Sequence, residues 1–379
     1  MRTYPLSSLS LEEAKALQFR IVDTVTRHFD GVEVLSLGDL GLGGGGNKPV
    51  CTSKVEKVFA GVFDAEAALL LRGSGTGAIR FGLQAMLGPG GCLLVHDAPI
   101  YPTTKASIES MGIRTISADF NRKDAVQRVL GEAGDSIQGI LVQHARQKPD
   151  DSYDFAETLR LLKSLRPDIP LLTDDNYTAL KTPCLGCQAG AELSSFSCFK
   201  TLGPEGVGVL LGKKEFVRRA AGLQYSGGSQ IQGHEAMAAL RGLIYAPVAL
   251  AIQAEVTEEL VRRLCGGEVP GVSGAFVANA QSKVLLVELE EAIAEDVLRL
   301  APGFGAAAYP VGSESKYEFV PMMYRISGTF RQQDPELEKR MLRINPMRAG
   351  ADTVIRILRQ AIAGAAAGAK TGTSVAGRS

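Results

Sequence analysis

From about residue 55 the chain alternates short apolar runs with segments in which apolar side chains recur every three or four positions. The runs are AALLL (67–71), CLLVH (92–96), TISA (115–118), GILVQH (139–144), PLLTD (170–174), FSCF (196–199) and GVGVLL (206–211). They show little alternation of apolar with polar residues, as strands do when both faces are covered. Amphipathic stretches such as Asp154 to Leu165 lie between them. This pattern predicts an α/β fold, a three-layer αβα sandwich around a mostly parallel sheet. Ahead of it, Ser10 and Glu13 have the spacing of a capping box and predict a helix from Leu11 to His28. A glycine-rich loop, GDLGLGGGGNKP (38–49), follows. Beyond Gly233 the strand runs stop, and Leu250 to Leu264 reads as a helix ended by Gly266 and Gly267. The expected division is a large domain over 51–245, a smaller α+β domain over 246–363 and a disordered tail of small and polar residues over 364–379.

Composition narrows the functions this fold can serve. The 379 residues carry 41 Lys plus Arg and 41 Asp plus Glu, so the formal charges cancel. A balanced chain lacks the cationic excess that grips nucleic acid or anionic lipid. With 45% apolar and 22% charged residues it is globular rather than disordered. The first residues have no apolar signal core, and no run reaches the roughly eighteen uninterrupted apolar residues of a membrane span. The expected location is the cytoplasm, with the six cysteines reduced. Cys184 and Cys187 form a CxxC, yet no second pair or HxxxH completes a metal site and the four histidines are scattered. Small buried or loop thiols are the simpler reading. The 43 glycines imply many tight turns or close backbone approaches to a ligand.

Three segments carry candidate chemistry. In RGSGTGAIRFGL (72–83), Ser74, Gly75, Thr76 and Gly77 make a strand-to-helix turn. Such a turn aims amide N–H groups and a hydroxyl at an anion, aided by the helix dipole. It is neither a GxxxxGK[ST] nor a GxGxxG loop, and glycine turns also open helices for steric reasons alone. In PLLTDDNYTAL (170–180), Asp174 and Asp175 fall at a strand's carboxy end, where α/β folds place ligands. A carboxylate there can cap, pair with a cation or hold a protonated ring nitrogen. In SSFSCFKTLGPEGVGVLLG (194–212), Lys200 sits between two apolar runs, where a partly desolvated amine can bond an aldehyde. Pyridoxal phosphate needs all three features: donors for its phosphate, a carboxylate for its pyridine nitrogen and an amine for its aldehyde.

On these motifs the chain resembles the fold-type I pyridoxal-phosphate enzymes, the aspartate aminotransferase superfamily, over nearly its whole length. SGTGA (74–78) resembles that superfamily's phosphate turn, TDDNY (173–177) its Asp-x-x-Tyr strand end, SFSCFK (195–200) its Ser-x-x-Lys, and LRINP (342–346) its carboxylate-binding segment. More closely it resembles the YhfS-type group of class V-like aminotransferases, through VHDAPIYPTT, SFSCFKTLGPEGVG, YSGGSQIQG, SESKYE and YRISGTFRQ. The resemblance implies that Lys200 forms the internal aldimine with pyridoxal 5'-phosphate and shuttles the Cα proton. It implies Asp174 on the ring nitrogen, with Asp175 the alternative if the register slips by one. Ser74, Gly75, Thr76, Gly77 and Ser197 would hold the phosphate. Tyr101 would stack on the ring, Tyr177 or His144 would donate to its phenolic oxygen, and Arg343 would bind the substrate's α-carboxylate. It further implies a homodimer with sites at the interface, residues 1–50 joining the small domain there.

Two features depart from the aminotransferase pattern. The Asn-Pro-x-Gly turn is replaced by QHARQKPDDSY (143–153), and position 208, eight beyond the lysine, is Gly rather than Arg. The favoured reading is an aminotransferase on an amino acid. The alternatives are a β- or γ-eliminating lyase or a racemase and, from another class, a phosphate-ligand-binding protein without Schiff-base chemistry. Weaker candidates are the 38–47 loop closing over the substrate, YSGGSQIQG (225–233) as hydroxyls, an amide and N–H groups for a phosphate across a dimer interface, and Arg146, Lys316, Arg325 and Arg331 as substrate groups.

Overall fold

Each of the seven apolar runs contributes to a strand of one sheet: β1 Ala67–Arg72, β2 Cys92–His96, β3 Arg114–Ala118, β4 Gly139–Gln143, β5 Leu171–Asp174, β6 Leu193–Ser197 and β7 Val207–Gly212. The computed structural model describes residues 3–43, 47–148, 150–224, 226–278, 283–309, 315–327, 330–331 and 334–375. The strand order is β1-β7-β6-β5-β4-β2-β3. The five strands from β6 to β3 run parallel, and β7 is antiparallel to both its neighbours. Helices α1 (Leu11–Thr26), α2 (Val50–Val62), α3 (Ser74–Met86), α4 (Pro102–Ser110), α5 (Lys123–Ala133), α6 (Phe155–Leu165), α7 (Lys214–Gly222) and α8 (Gly233–Cys265) accompany it.

Two cores explain the missing alternation. On one face Leu93, Leu141, Leu172 and Leu210 pack on Ala78, Ile79 and Leu83 of α3. On the other Leu94, Ile140, Val142 and Leu171 pack on Val126 and Leu130 of α5 and Leu159 and Leu162 of α6. Successive side chains of a strand point to opposite faces, so both parities had to be apolar. The run at 196–199 is corrected by the structure. β6 ends at Ser197, and Cys198–Thr201 winds into a 3-10 turn in which the Thr201 hydroxyl donates to the Cys198 carbonyl at 3.0 Å. Lys200 therefore stands on a turn beyond the strand.

The chain divides into two compact units. One comprises residues 7–147 and 151–248, the other residues 1–6, 148–150 and 249–379. The expectation that residues 1–50 join the small domain is thus corrected for 7–50, because α1 packs on α2, which in turn packs on β1. The division falls just after Pro247, which sits inside α8. Proline has no N–H for the helical ladder. The 33-residue α8 is long and apolar enough to cross a membrane by length and composition, with 56% of the relevant stretch buried inside the protein.

The second unit holds an antiparallel sheet of β8 (Val272–Ala278), β9 (Val284–Leu289), β10 (Met322–Arg325) and β11 (Met341–Asn345), ordered β10-β11-β9-β8. Leu285, Val287, Leu342 and Ile344 pack there on Val354 and Leu358 of the helix Ala351–Val375. That helix corrects the expected disordered tail. Its alanine-rich end, with the best intrinsic helix former, continues to Val375, and residues 376–379 lie outside the described residues.

The capping box of α1 is present in both halves. The Ser10 amide donates to the Glu13 carboxylate at 2.8 Å and the Glu13 amide donates to the Ser10 hydroxyl at 3.3 Å. The helix stops at Thr26, two residues short of the expected end. Ser10→Ala is expected to lower stability by about 1 kcal/mol, read as a lower urea midpoint at unchanged slope. An unchanged midpoint would show that the box does not stabilise this helix.

Candidate active site

The first part of the site is the turn from β1 into α3. The amides of Gly73 and Ser74 both donate to the Gly206 carbonyl, at 2.9 and 3.0 Å. The first intrahelical bond runs from Gly77 N–H to the Gly73 carbonyl at 2.8 Å. The amides of Gly75 and Thr76 therefore lie ahead of the helical ladder, at the positive end of a 13-residue helix. The Ser74 and Ser197 hydroxyls are 2.5 Å apart, which ties this turn to the segment bearing Lys200. Strand β7 presses on the same turn: a Cβ on Gly208 would stand 2.1 Å from the Ser74 carbonyl oxygen. A side chain at this position, the arginine of the aminotransferase pattern included, would clash with that carbonyl.

The second part is the end of β5. Asp174 has the parity of Leu172, which packs on the α3 face. Both hydrogen bonds it accepts, from the Asn176 amide at 3.0 Å and the Asn176 Nδ2 at 2.8 Å, reach Oδ1. Asn176 in turn fills the space beside Gly75, where a Cβ would approach its Oδ1 to 2.3 Å. Burial pushes the Asp174 carboxyl up from the usual carboxylate range, against the lowering effect of the Asn176 bonds. Asp175 turns to the opposite layer. It accepts from the Thr173 hydroxyl at 2.5 Å, bonds His144 Nδ1 at 2.8 Å and accepts the Gly186 amide at 3.3 Å.

His144 follows Asp175 rather than Asp174. Its ring lies parallel to that of Phe155 at 3.6 Å between centroids. β4 ends at Gln143, and the next side chain, His144, faces α6. Gln143 and Gln147 instead line a cavity with Asp174, Thr104, His96 and Tyr153. Sequence reasoning missed all of these except Asp174. The signal for Gln143 was the parity of GILVQ, since Leu141 and Gln143 share the α3 face. Phe120 N–H donates to His96 Nδ1 at 3.0 Å, so the proton sits on Nε2 and is donated to Asp151 at 2.8 Å. That bond anchors the far end of the 143–153 segment. Burial raises the Tyr153 phenol, keeping it neutral, and its hydroxyl donates to the Gln143 carbonyl at 2.8 Å.

Lys200 is half-buried, with its ammonium 4.6 Å from the centre of the Tyr177 ring. Cations are attracted to the face of such a ring. Tyr101 caps α4 and is half-buried, after Pro99 and Ile100, which line the cavity. The structure thus brings together Ser74, Gly75, Ser197 and Asn176, and places Tyr177 against Lys200. Thr76 bonds Thr103 at 3.0 Å.

Other candidates lie elsewhere. Arg343, in the second unit on the inner strand β11, stacks its guanidinium 4.1 Å over the Tyr324 ring. Arg325 and Arg331 face Glu338, at 4.0 and 3.6 Å, and Lys316 lies 5.2 Å over Tyr317. Arg146 is buried, donating to the Tyr153 carbonyl at 3.0 Å. The glycine loop is tied down: Gly41 donates to Gln232 and Gly233 donates to the Asp39 carbonyl, each at 2.9 Å. Gly44 to Gly46 of that loop lie outside the described residues, as do Tyr225 of YSGGSQIQG, residues 313–314 of SESKYE and residues 328, 329 and 332 of YRISGTFRQ. No cluster of metal-binding side chains occurs among the described residues.

These donors match the needs of pyridoxal phosphate: open amides and two hydroxyls for the phosphate, a buried carboxylate short of donors for the ring nitrogen, and an amine for the aldehyde. Comparisons with known proteins agree with the fold. Residues 258–358 match the family described as YhfS-like, C-terminal domain. The chain is 53% identical over 363 residues to the protein YhfS of Escherichia coli (strain K12), covering 96% of this chain and 99% of that one. It superposes with TM-score 0.93, at 52% identity, on the crystal structure of the pyridoxal-5'-phosphate dependent protein YhfS from Escherichia coli, covering 96% of this chain and all of that one. A cystathionine gamma lyase from Micromonospora echinospora shares the fold with TM-score 0.69 at 16% identity, covering 92% of this chain and 99% of that one. The architecture is that of the fold-type I pyridoxal-phosphate enzymes. The likeness to YhfS carries no assignment to the class V aminotransferases.

The CxxC can be tested directly. Burial, with help from Asp175, pushes the Cys187 thiol up to about 12, so at pH 7 only about one thiol in 10⁵ is ionised. Iodoacetamide at pH 7 is expected to label exposed Cys265 first and to leave Cys187 and Cys198 unmodified. Fast labelling of Cys187, or a Cys184–Cys187 disulfide under mild oxidation, would restore the redox reading.

Proposed function

The chain belongs to the YhfS family, and on that premise we propose that it is a pyridoxal-phosphate-dependent enzyme that eliminates a β- or γ-substituent from an amino acid. One observation carries the cofactor reading: the 2.5 Å contact between the Ser74 and Ser197 hydroxyls, which joins an anion-binding helix start to the turn bearing Lys200. The amides of Gly75 and Thr76 and the two serine hydroxyls would take the phosphate. Asp174 would hold the proton of the ring nitrogen, whose positive charge offsets the burial that raises this carboxyl. Lys200 would bond the aldehyde, and its ammonium is steered by the face of Tyr177. When bound, the cofactor supplies an electron sink for the charge released as a bond to Cα breaks.

The Lys200 amine would also serve as the base for the Cα proton of the substrate. Tyr101, capping α4, is the proposed stacking residue that excludes water from one face. Arg343 is retained for the substrate's α-carboxylate on the resemblance alone.

Elimination is preferred to transamination on two features of this chain and one of its fold. The segment after β4 is QHARQKPDDSY rather than Asn-Pro-x-Gly. Gly208 leaves no room for the arginine of the aminotransferase pattern. The same architecture serves a named cystathionine gamma lyase, a likeness of fold only.

Purified protein with added pyridoxal phosphate, screened against amino acids without any keto-acid acceptor, tests this reading. Release of ammonia and a keto acid is expected, and Lys200→Ala should lower the rate by at least about 10²-fold. Conversion of the cofactor to its pyridoxamine form, reversed by a keto acid, would replace elimination by transamination. Absence of visible cofactor absorbance would remove both.

A further inference from the structure

The cavity at the carboxy ends of β2, β4 and β5 contains a polar atom that the fold leaves unmatched. Thr104, in the first turn of α4, is 3% exposed, and its hydroxyl has no hydrogen-bond partner. A helical threonine or serine commonly turns its hydroxyl back to a carbonyl three or four residues earlier. Ser107, one turn on, does this, donating to the Thr103 carbonyl at 3.0 Å. Thr104 instead lines the cavity that Asp174, Gln143 and Gln147 also line. Asp174 shows the complementary deficit: its hydrogen bonds reach Oδ1, and Oδ2 has no donor among the described residues. A buried hydroxyl without a partner is costly to keep apart from water, and a carboxylate oxygen that accepts no hydrogen bond from the protein readily takes one from water. Polar cavities with two to four such groups in their walls hold buried water.

We propose that this cavity holds an ordered water shared by Thr104 Oγ1 and Asp174 Oδ2, which makes Thr104 a positioning residue for the carboxylate at the end of β5. The water accepts or donates at the threonine and donates to the carboxylate, so it supports the charged form of Asp174. The other charged and titratable groups around that carboxylate are Asp175, which opposes its charge, Lys200, which favours it, and His96 and Tyr153 across the cavity. Thr104→Val keeps the shape and removes the hydroxyl. The functional readout rests on Asp174 serving the ring nitrogen as proposed above; the water itself does not.

Two measurements on the full chain separate the outcomes. Crystals of the cofactor-free wild type are expected to show density for a water within hydrogen-bond distance of both atoms, lost in Thr104→Val; an empty cavity in the wild type overturns the proposal. In titrations with pyridoxal phosphate, Thr104→Val is expected to bind about three- to tenfold more weakly. The pH midpoint of its visible absorbance should move to lower pH, and Thr104→Ser should restore both. Equal affinity and an unmoved pH profile in a folded Thr104→Val protein overturn the positioning role. If the wild type itself develops no visible absorbance, the cofactor reading fails, and the crystal alone then decides for or against the water.

Discussion

A strand must send successive side chains to opposite faces, and at the end of β5 that constraint falls on two adjacent aspartates. Asp175 enters the layer of α6 and is matched there by a hydroxyl, an imidazole and an amide. Asp174 enters the α3 face, where the hydrogen bonds it accepts come from the neutral groups of Asn176. Burying a carboxylate is expensive unless it is paired or fully hydrogen-bonded. One aspartate is therefore structurally complete, while the other keeps a deficit that a cationic ring nitrogen would fill. The remaining groups follow from that choice of face, since the α3 turn, Lys200 and the cavity residues all lie at the carboxy ends of the same sheet.

Several of the strained backbone positions lie near the same point. Six described residues other than glycine have positive φ: Ser74, Tyr177, Leu180 and Leu202 near the site, at 57°, 69°, 64° and 59°, and Asp64 and Met347 elsewhere, at 52° and 55°. Each costs on the order of 1 kcal/mol in that conformation. Ser74 opens helix α3, Tyr177 carries the ring under the Lys200 ammonium, and Leu202 closes the turn that holds Lys200. The close approach of β7 at Gly208 and the bond between the Ser74 and Ser197 hydroxyls hold Ser74 in place. Strained residues held by tight neighbours are the means by which a rigid sheet presents reactive groups at its edge.

Much of this was legible in the sequence because apolar runs and strand ends follow periodicity. The SGTGA turn, the two aspartates and Lys200 were found that way, and the resemblance then gave each a role. What escaped depended on one-residue differences of parity or on contacts distant in sequence. GILVQH reads as one run, but the strand stops at Gln143, so the amide faces the cavity and His144 stacks on Phe155. FSCF looks extended because cysteine and phenylalanine suit a strand, yet the chain turns after Ser197, where the Thr201 hydroxyl and the Leu202 amide both donate to the Cys198 carbonyl. The tail looked disordered because its residues are small and polar, whereas its alanines favour the helix that is found. The pairing of His96 with Asp151 spans 55 positions, and no local pattern announces it.

The division of labour between Asp174 and Asp175 is the central claim, and parallel Asp174→Asn and Asp175→Asn proteins test it most directly through urea midpoint and pyridoxal-phosphate affinity. Burial raises the Asp174 carboxyl, so in the cofactor-free protein its stabilising contribution is present at low pH and lost as pH rises through the raised value. At pH 7, Asp174→Asn should therefore leave the urea midpoint unchanged or raise it, while weakening cofactor binding by at least about tenfold. Asp175→Asn should lower the midpoint while the protein that remains folded still binds. Loss of cofactor binding in Asp175→Asn with full binding in Asp174→Asn would contradict the account.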